Sequence, residues 1–247
     1  MKNTTAKIVV AASVALMLLL WEFASIRIGS QQIMPGPWET LRAAAGLLVE
    51  PGFLIIVGST LLRGIAGFVI ASALGIVLGV LGGINKGFEA FMTPWVVVMR
   101  STPVVAFVLL ALIWFSQSTA VFIGIITMFP MVFTNIVEGM RNVDGDLVEM
   151  ARFYKVRRSD IIMKVYLPSI LPYMISGLSS ASGIGWRAII IGEVLSQPRY
   201  GIGGSMQLAQ MQMNVDVLIA WTFIAVIIGF AFEKIIRLVE KKAIKGR

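Results

Sequence analysis

The residues of this chain that can do chemistry are few, charged and widely spaced. One compact charged island, 138–164, interrupts the apolar sequence and carries Glu149, Arg152, Lys155, Arg157 and Arg158. Arg100, Arg187 and Glu193 stand alone in or near apolar runs. There is no cysteine and no histidine. Disulfides and thiolate metal sites are therefore excluded, and the commonest general base and transition-metal ligand are missing. No metal site is expected. The sequence also lacks a Gly-x-x-x-x-Gly-Lys-Ser/Thr loop, so no phosphate cradle is evident. What remains is charge in an apolar setting. Such an island can grip a partner, and intramembrane arginines can attract an anion.

The elements that must position these residues follow from hydropathy. Of 247 residues, 57% are hydrophobic and 14% charged, with mean hydropathy +0.87. A soluble domain carries about 25% charged residues. The fold class is therefore all-α, a polytopic membrane helix bundle of about six spans. Spans are expected at 8–26, 61–81, 91–115, 120–137, 167–191 and 215–236. The 91–115 span is interrupted at Arg100-Ser101-Thr102-Pro103. The first run resembles the start of a signal peptide, but Trp21 sits where an interfacial anchor would, so a retained span is expected. By parts, 1–28 is the first span and 29–58 an extracytoplasmic segment. A core of 59–238 holds the loop 138–166, and 239–247 is a basic tail. Within 29–58, residues 38–49 are expected to be helical and to lie along the membrane surface. Gly64, Gly67, Gly75 and Gly79 let neighbouring helices approach closely.

Net charge is +8. In a soluble protein that would point to nucleic acid; here the excess is that of cytoplasmic loops, and no nucleic-acid partner is expected. Lys2, Lys7, Lys86, the island and the tail's lysines all fall on one side of a six-span chain. That side, with both termini, is placed in the cytoplasm.

A charged island cannot lie in hydrocarbon, so this one stands in water. Leu147, Met150, Ala151 and Tyr154 recur at helical spacing and form one face, which can dock on the bundle or enter a partner's groove. Asp144 or Asp146 can cap this helix. Ser159 is expected to cap a second short helix, 160–166, with Pro168 limiting it and starting the next span.

Glu149-Met150-Ala151, followed by Lys155 and Val165-Tyr166-Leu167-Pro168, resembles the "EAA" loop of bacterial ABC importer permeases. The family pattern is Glu-Ala-Ala, three residues, Gly, nine residues, Ile-x-Leu-Pro. The spacing is kept, but Lys155 stands at the glycine position. Lysine tolerates a left-handed turn poorly, so the first helix is expected to run on to Arg158 and turn at Ser159. The resemblance extends over about 59–236. It includes Arg100-x-x-Pro103, Trp186-Arg187, Glu193 and Gly201-x-Gly203, which look most like the nitrate, sulfonate and taurine branch.

The resemblance implies a permease of the bacterial inner membrane that is not itself an enzyme. ATP and magnesium would be bound by two separate cytoplasmic ATPase subunits, with no cofactor on this chain. Glu149, Met150, Ala151, Arg152, Tyr154, Lys155, Leu167 and Pro168 would couple to them. A second permease chain, an extracytoplasmic solute-binding protein and the lipid bilayer are the other implied partners. Arg100, Pro103, Trp186, Arg187 and Glu193 are candidates for the translocation path of a small anionic solute. Arg187 lies roughly 28 Å along a straight helix from Pro168, near the outer interface, where it can equally snorkel. Gly177, Gly183 and Gly185 are candidate break points that would leave it lining a cavity. Glu193 is a candidate partner for Arg187 or Arg100. The polar stretch 196–214 reads as a loop, and its Met206, Gln207 and Gln210 as an outer gate, a binding-protein contact or a solvated surface. Two other readings stay open: an ion-gradient-driven carrier, and a permease for a neutral, vitamin-precursor-like solute.

Overall fold

Backbone N–H and C=O groups cannot stay unpaired in hydrocarbon, so apolar runs of this length become helices. The computed structural model describes the backbone of residues 2–30 and 32–245, and the side chains of residues 6–30 and 32–238. The side chains of Lys2 and of the 239–247 tail lie outside the described residues. The helices are α1 (Lys2–Ile28), α2 (Pro37–Val49), α3 (Phe53–Ile84), α4 (Lys86–Ser101), α5 (Val104–Phe115), α6 (Thr119–Arg141), α7 (Gly145–Phe153), α8 (Arg158–Ile161), α9 (Leu167–Ser196), α10 (Ile202–Met211) and α11 (Val215–Lys245).

Five stretches are long and apolar enough to cross a membrane: Ala6–Ile28, Phe53–Ile84, Val104–Arg141, Arg158–Ser196 and Val215–Leu238. The third is folded back on itself. Ser116, with φ 44°, breaks it, and a turn at Ser116–Ser118 reverses the chain. Beside that turn Phe115 stacks on Phe122, ring centroids 4.4 Å apart. At the other end of α6, Arg141 bonds Glu89 of α4 at 2.6 Å. So α4 and α5 together run antiparallel to α6. With 16 and 12 residues, they are about 24 and 18 Å long, and neither spans a core of about 30 Å alone. Joined at Thr102-Pro103 they make the remaining crossing, broken where the sequence predicts.

The central helix is α6, whose Met128, Phe129, Val132, Phe133 and Ile136 are buried. Helix α3 lies along one side of it. A Cβ added at Gly75 or Gly79 would come within 2.6 or 2.7 Å of the Cβ of Val132 or Ile136. The predicted close approach at these two glycines is thus present. Helix α9 lies along the other side, its Gly177 against Asn135 and its Gly185 against Met128.

Three expectations are corrected. Gly177, Gly183 and Gly185 do not break α9, which is helical from Leu167 to Ser196. The first and last of these glycines admit α6, while Gly183 faces Glu233. Pro168 does not separate two helices either. A π-helical stretch, Ile162–Tyr166, joins α8 to α9, so Arg158–Ser196 is one rod of 39 residues. Finally, the polar stretch 196–214 is not a loop, because α10 occupies most of it. The predicted helix at 38–49 is present as α2, and Trp21 of α1 donates from its indole to the Pro35 carbonyl just before it, at 3.0 Å.

Candidate functional site

The island folds as a capped helix, a tight turn and the projecting end of the α8–α9 rod. The Asp144 carboxylate accepts from the backbone N–H groups of Asp146 and Leu147 and caps α7. Helix α7 stops at Phe153, and Lys155 takes φ 53°. Its N–H donates to the Arg152 carbonyl, and the Val156 N–H donates to the Ala151 carbonyl. This is the Schellman arrangement that usually ends in glycine. The expected run-on of α7 to Arg158 is therefore wrong. The two satisfied carbonyls outweigh the strain of a lysine in the left-handed region. Nor does Ser159 cap the next helix, which starts at Arg158 after an Arg157 whose side chain makes no capping bond.

Lys155→Gly is expected to relieve that strain and firm the turn by up to about 1 kcal/mol, whereas Lys155→Val costs about 1–2 kcal/mol. Amide exchange at Val156 reads this directly. Protection should rank Gly above Lys above Val, and equal protection in all three would mean that the left-handed turn does not persist.

The predicted apolar face of α7 divides in two. Val148 and Ala151 are buried with Ile161, against Val143, Val165 and Tyr166. Leu147, Met150 and Tyr154 are exposed, and Phe153, which the sequence reading missed, is 82% exposed. Its signal was present: a phenylalanine in a charged stretch, three residues past Met150. Glu149 and Arg152 are exposed and do not pair with each other. Leu167 and Pro168 belong to the rod behind this surface.

Among the path candidates, Glu193 is fully buried. It pairs with neither Arg187 nor Arg100. Its Oε1 accepts from Arg63 Nη1 at 2.6 Å. Its Oε2 accepts from the Thr60 hydroxyl at 2.9 Å and from the Gly203 N–H at 3.0 Å. The Thr60 hydroxyl in turn accepts from the Ile202 N–H, and Arg63 also donates to the Tyr200 carbonyl. Glu193 and Thr60 thus satisfy the first N–H groups of α10 and bind α3, α9 and α10 together. A Cβ at Gly201 or Gly203 would come within 3 Å of Glu193, which accounts for the glycines of Gly201-x-Gly203. Arg63 and Thr60 were missed, although a lone arginine in an apolar span calls for a partner.

Arg187 lines a cleft of about 430 Å³ between α9 and α11 with Trp186, Met206, Thr222 and Glu233. Trp186 itself is buried, and its indole N–H donates to the Ala225 carbonyl at 2.9 Å. Arg100 lines a separate cleft of about 610 Å³ between α4 and α6 with Thr93, Ser101, Thr134 and Glu138. Pro103 is exposed at the break between α4 and α5. On α10, Met206 borders the Arg187 cleft, Gln207 is half-buried and Gln210 exposed.

The exposed faces of the helices differ in composition. α3 exposes Leu62, Ile65, Val69 and Leu74; α5 exposes Val105, Leu109 and Ile113; α11 exposes Phe223, Val226, Ile227 and Phe230. Those faces suit hydrocarbon. Helix α9 exposes Ser176, Ser180 and Arg187 on one face, at i, i+4 and i+11, with Ile184 among them, and α4 exposes Thr93, Arg100 and Ser101 beside Phe91, Trp95, Val97 and Val98. Arginine among such residues calls for water or a polar partner.

Comparison with known proteins agrees with this architecture. Residues 71–245 match the family described as binding-protein-dependent transport system inner membrane component. A putative aliphatic sulfonates transport permease protein of Bacillus subtilis is 26% identical over 237 residues, covering 94% of this chain and 85% of that protein. A bicarbonate transport system permease protein of Synechococcus elongatus is 32% identical over 186 residues, covering 74% and 66%. The MetNI methionine ABC transporter, solved in inward-facing conformations, superposes with a TM-score of 0.52 at 19% identity, over 85% of this chain and 99% of that one. That last likeness is one of fold.

Proposed function

The chain belongs to the binding-protein-dependent transport system inner membrane component family, and from that premise we propose that it forms the path for a small anionic solute and is driven by two ATPase subunits. The observation that carries the reading is the loop. The Arg158–Ser196 rod is about 58 Å long, nearly twice the hydrocarbon thickness. Its end therefore projects into water, and there Leu147, Met150, Phe153 and Tyr154 stand uncovered. An apolar face of this kind suits a groove on another protein. Glu149 and Arg152 flank it, and Ala151 and Lys155 set its shape from beneath and behind. The loop and both termini lie in the cytoplasm on this reading, which the placement of lysine and arginine supports.

The polar groups of α9 and α4 line the path, and Arg100 and Arg187 offer an anion guanidinium groups, beside the carboxylates of Glu138 and Glu233. The sulfonate and bicarbonate relatives support an anionic cargo. A polar face on α9 left uncovered by this chain supports a second permease chain, in a homodimer, opposite it. Helix α10, with Met206, Gln207 and Gln210, lies at the outer end, where a solute-binding protein delivers its cargo. Glu193, the acid that an ion-coupled carrier would need free, is committed to Arg63 and α10.

The test is uptake into proteoliposomes holding the permease, its ATPase and its binding protein. Met150→Asp with Phe153→Asp should lower ATP-driven uptake at least tenfold while the permease stays folded. Uptake that is unchanged, or that runs on an ion gradient without ATP, overturns the proposal.

A further inference from the structure

The charges around the exposed face of α7 are sorted by position. Asp144 and Asp146 lie at its start and Glu149 at its middle, and Arg152, Lys155, Arg157 and Arg158 follow with no acidic residue before Asp160. All four basic side chains are exposed, and none is in an ion pair among the described residues. Met150 stands between the two groups, and Phe153 and Tyr154, 82% and 72% exposed, stand between Arg152 and Lys155. The surface is thus an apolar knob with one acidic flank and one strongly basic flank.

We infer that the loop is recognised by a groove of opposite polarity: the ATPase subunit that receives Phe153 and Tyr154 carries carboxylates on the wall facing Lys155, Arg157 and Arg158. This rests on the coupling role proposed above and adds the chemistry of the partner. Two observations favour a protein over anionic lipid headgroups as the occupant. The basic cluster sits at the Lys155 turn, at the free end of the rod. The nine residues 158–166 set that turn about 13 Å beyond Leu167. The cluster also borders the most exposed aromatic pair of the loop, so charge and apolar anchor can enter one site together. Paired charges around an apolar anchor fix orientation and reject wrong partners. A permease can in this way select its own ATPase among the many of one cell. Lys155 adds a positive charge at a turn where glycine would be conformationally easier.

The experiment uses the full-length permease in nanodiscs with the ATPase subunit coexpressed from the same genome. Retention of the ATPase is measured from 50 to 500 mM NaCl, for the wild type and for the triple variant Lys155→Glu, Arg157→Glu, Arg158→Glu. All three sites are exposed, and Lys155→Gly alone serves as a control for the turn. The proposal expects wild-type retention to fall with salt. It expects the triple variant to bind at least tenfold more weakly at 150 mM, with a flat salt dependence. Reversing a carboxylate on the ATPase groove wall should restore its binding. Unchanged retention of the triple variant overturns the inference. If Met150→Asp with Phe153→Asp still releases the ATPase, the coupling role survives and only the acidic wall is lost. If those variants also bind normally, both fall. Loss of bound phosphatidylglycerol from the triple variant, with ATPase retention unaffected, would assign the cluster to lipid instead and overturn the proposal.

Discussion

Glu193→Ala is expected to destabilise the permease by about 3–5 kcal/mol, the cost of stranding one half of a buried ion pair. The carboxylate is fully buried and accepts from Arg63, Thr60 and Gly203. Its removal leaves the Arg63 guanidinium, only 19% exposed, facing a gap with the Tyr200 carbonyl as its one other partner. The Gly203 N–H also loses its acceptor, at about 1–3 kcal/mol for a buried orphan. Glu193→Gln is milder, because one amide oxygen can still face Arg63 while the amide nitrogen turns to the Thr60 hydroxyl. Even so, the Gly203 N–H stays unpaired. The order of thermal midpoints in one detergent should therefore be wild type, Gln, Ala. A double-mutant cycle with Arg63→Met isolates the pair itself. If Glu193→Ala costs the same whether residue 63 is Arg or Met, the two side chains are not coupled. The functional consequence is local as well as global. Without this cap α10 loses its hold on α3 and α9, and Met206 its place at the Arg187 cleft.

That network shows where the sequence could and could not be read. The spans were legible because lipid exposure and core burial both demand apolar residues. The break at Arg100-x-x-Pro103 was legible too, since a residue before proline is poorly placed in a helix. Glu193 was recognisable as a charge in need of a partner. Its partner was not, because Arg63 lies 130 positions away and only the packing of α3 on α9 brings the two together. Arg100 and Arg187 were candidates for one path, yet they line different clefts, a matter of helix placement that hydropathy does not encode. The polar composition of 196–214 concealed α10, although Met, Gln, Leu and Ala are good helix formers. At Lys155 side-chain strain was expected to outrank backbone hydrogen bonding. The Schellman bonds to Ala151 and Arg152 reversed that order. The expected stripe of α7, Leu147, Met150, Ala151 and Tyr154, is mostly free: only Ala151 of the four is buried, with Val148, because that is where Ile161 and Tyr166 arrive.

A comparison of two glycines on α3 tests the helix packing on which the whole path depends. Glycine costs a helix about 1 kcal/mol relative to alanine, so its presence needs a reason. Gly58 has nothing within 4 Å of an added Cβ. There Gly58→Ala should stabilise, by about 0.4–1 kcal/mol, through backbone entropy alone. At Gly79 the same methyl group would lie 2.7 Å from the Ile136 Cβ and 3.1 Å from the Phe133 carbonyl oxygen. Neither neighbour is the free end of a flexible chain, so α3 and α6 must separate. Gly79→Ala is therefore expected to destabilise by about 1–3 kcal/mol, and Gly79→Leu to abolish the monodisperse folded protein. The sign change between two identical substitutions on one helix is the informative result, read as thermal midpoints in detergent and as ATP-driven uptake. Stabilisation at both sites would mean that α3 does not approach α6 as closely as the Gly79–Ile136 contact requires. The consequence would reach the path: α6 is held between α3 and α9, and a displaced α6 carries with it the wall of the Arg100 cleft formed by Thr134 and Glu138.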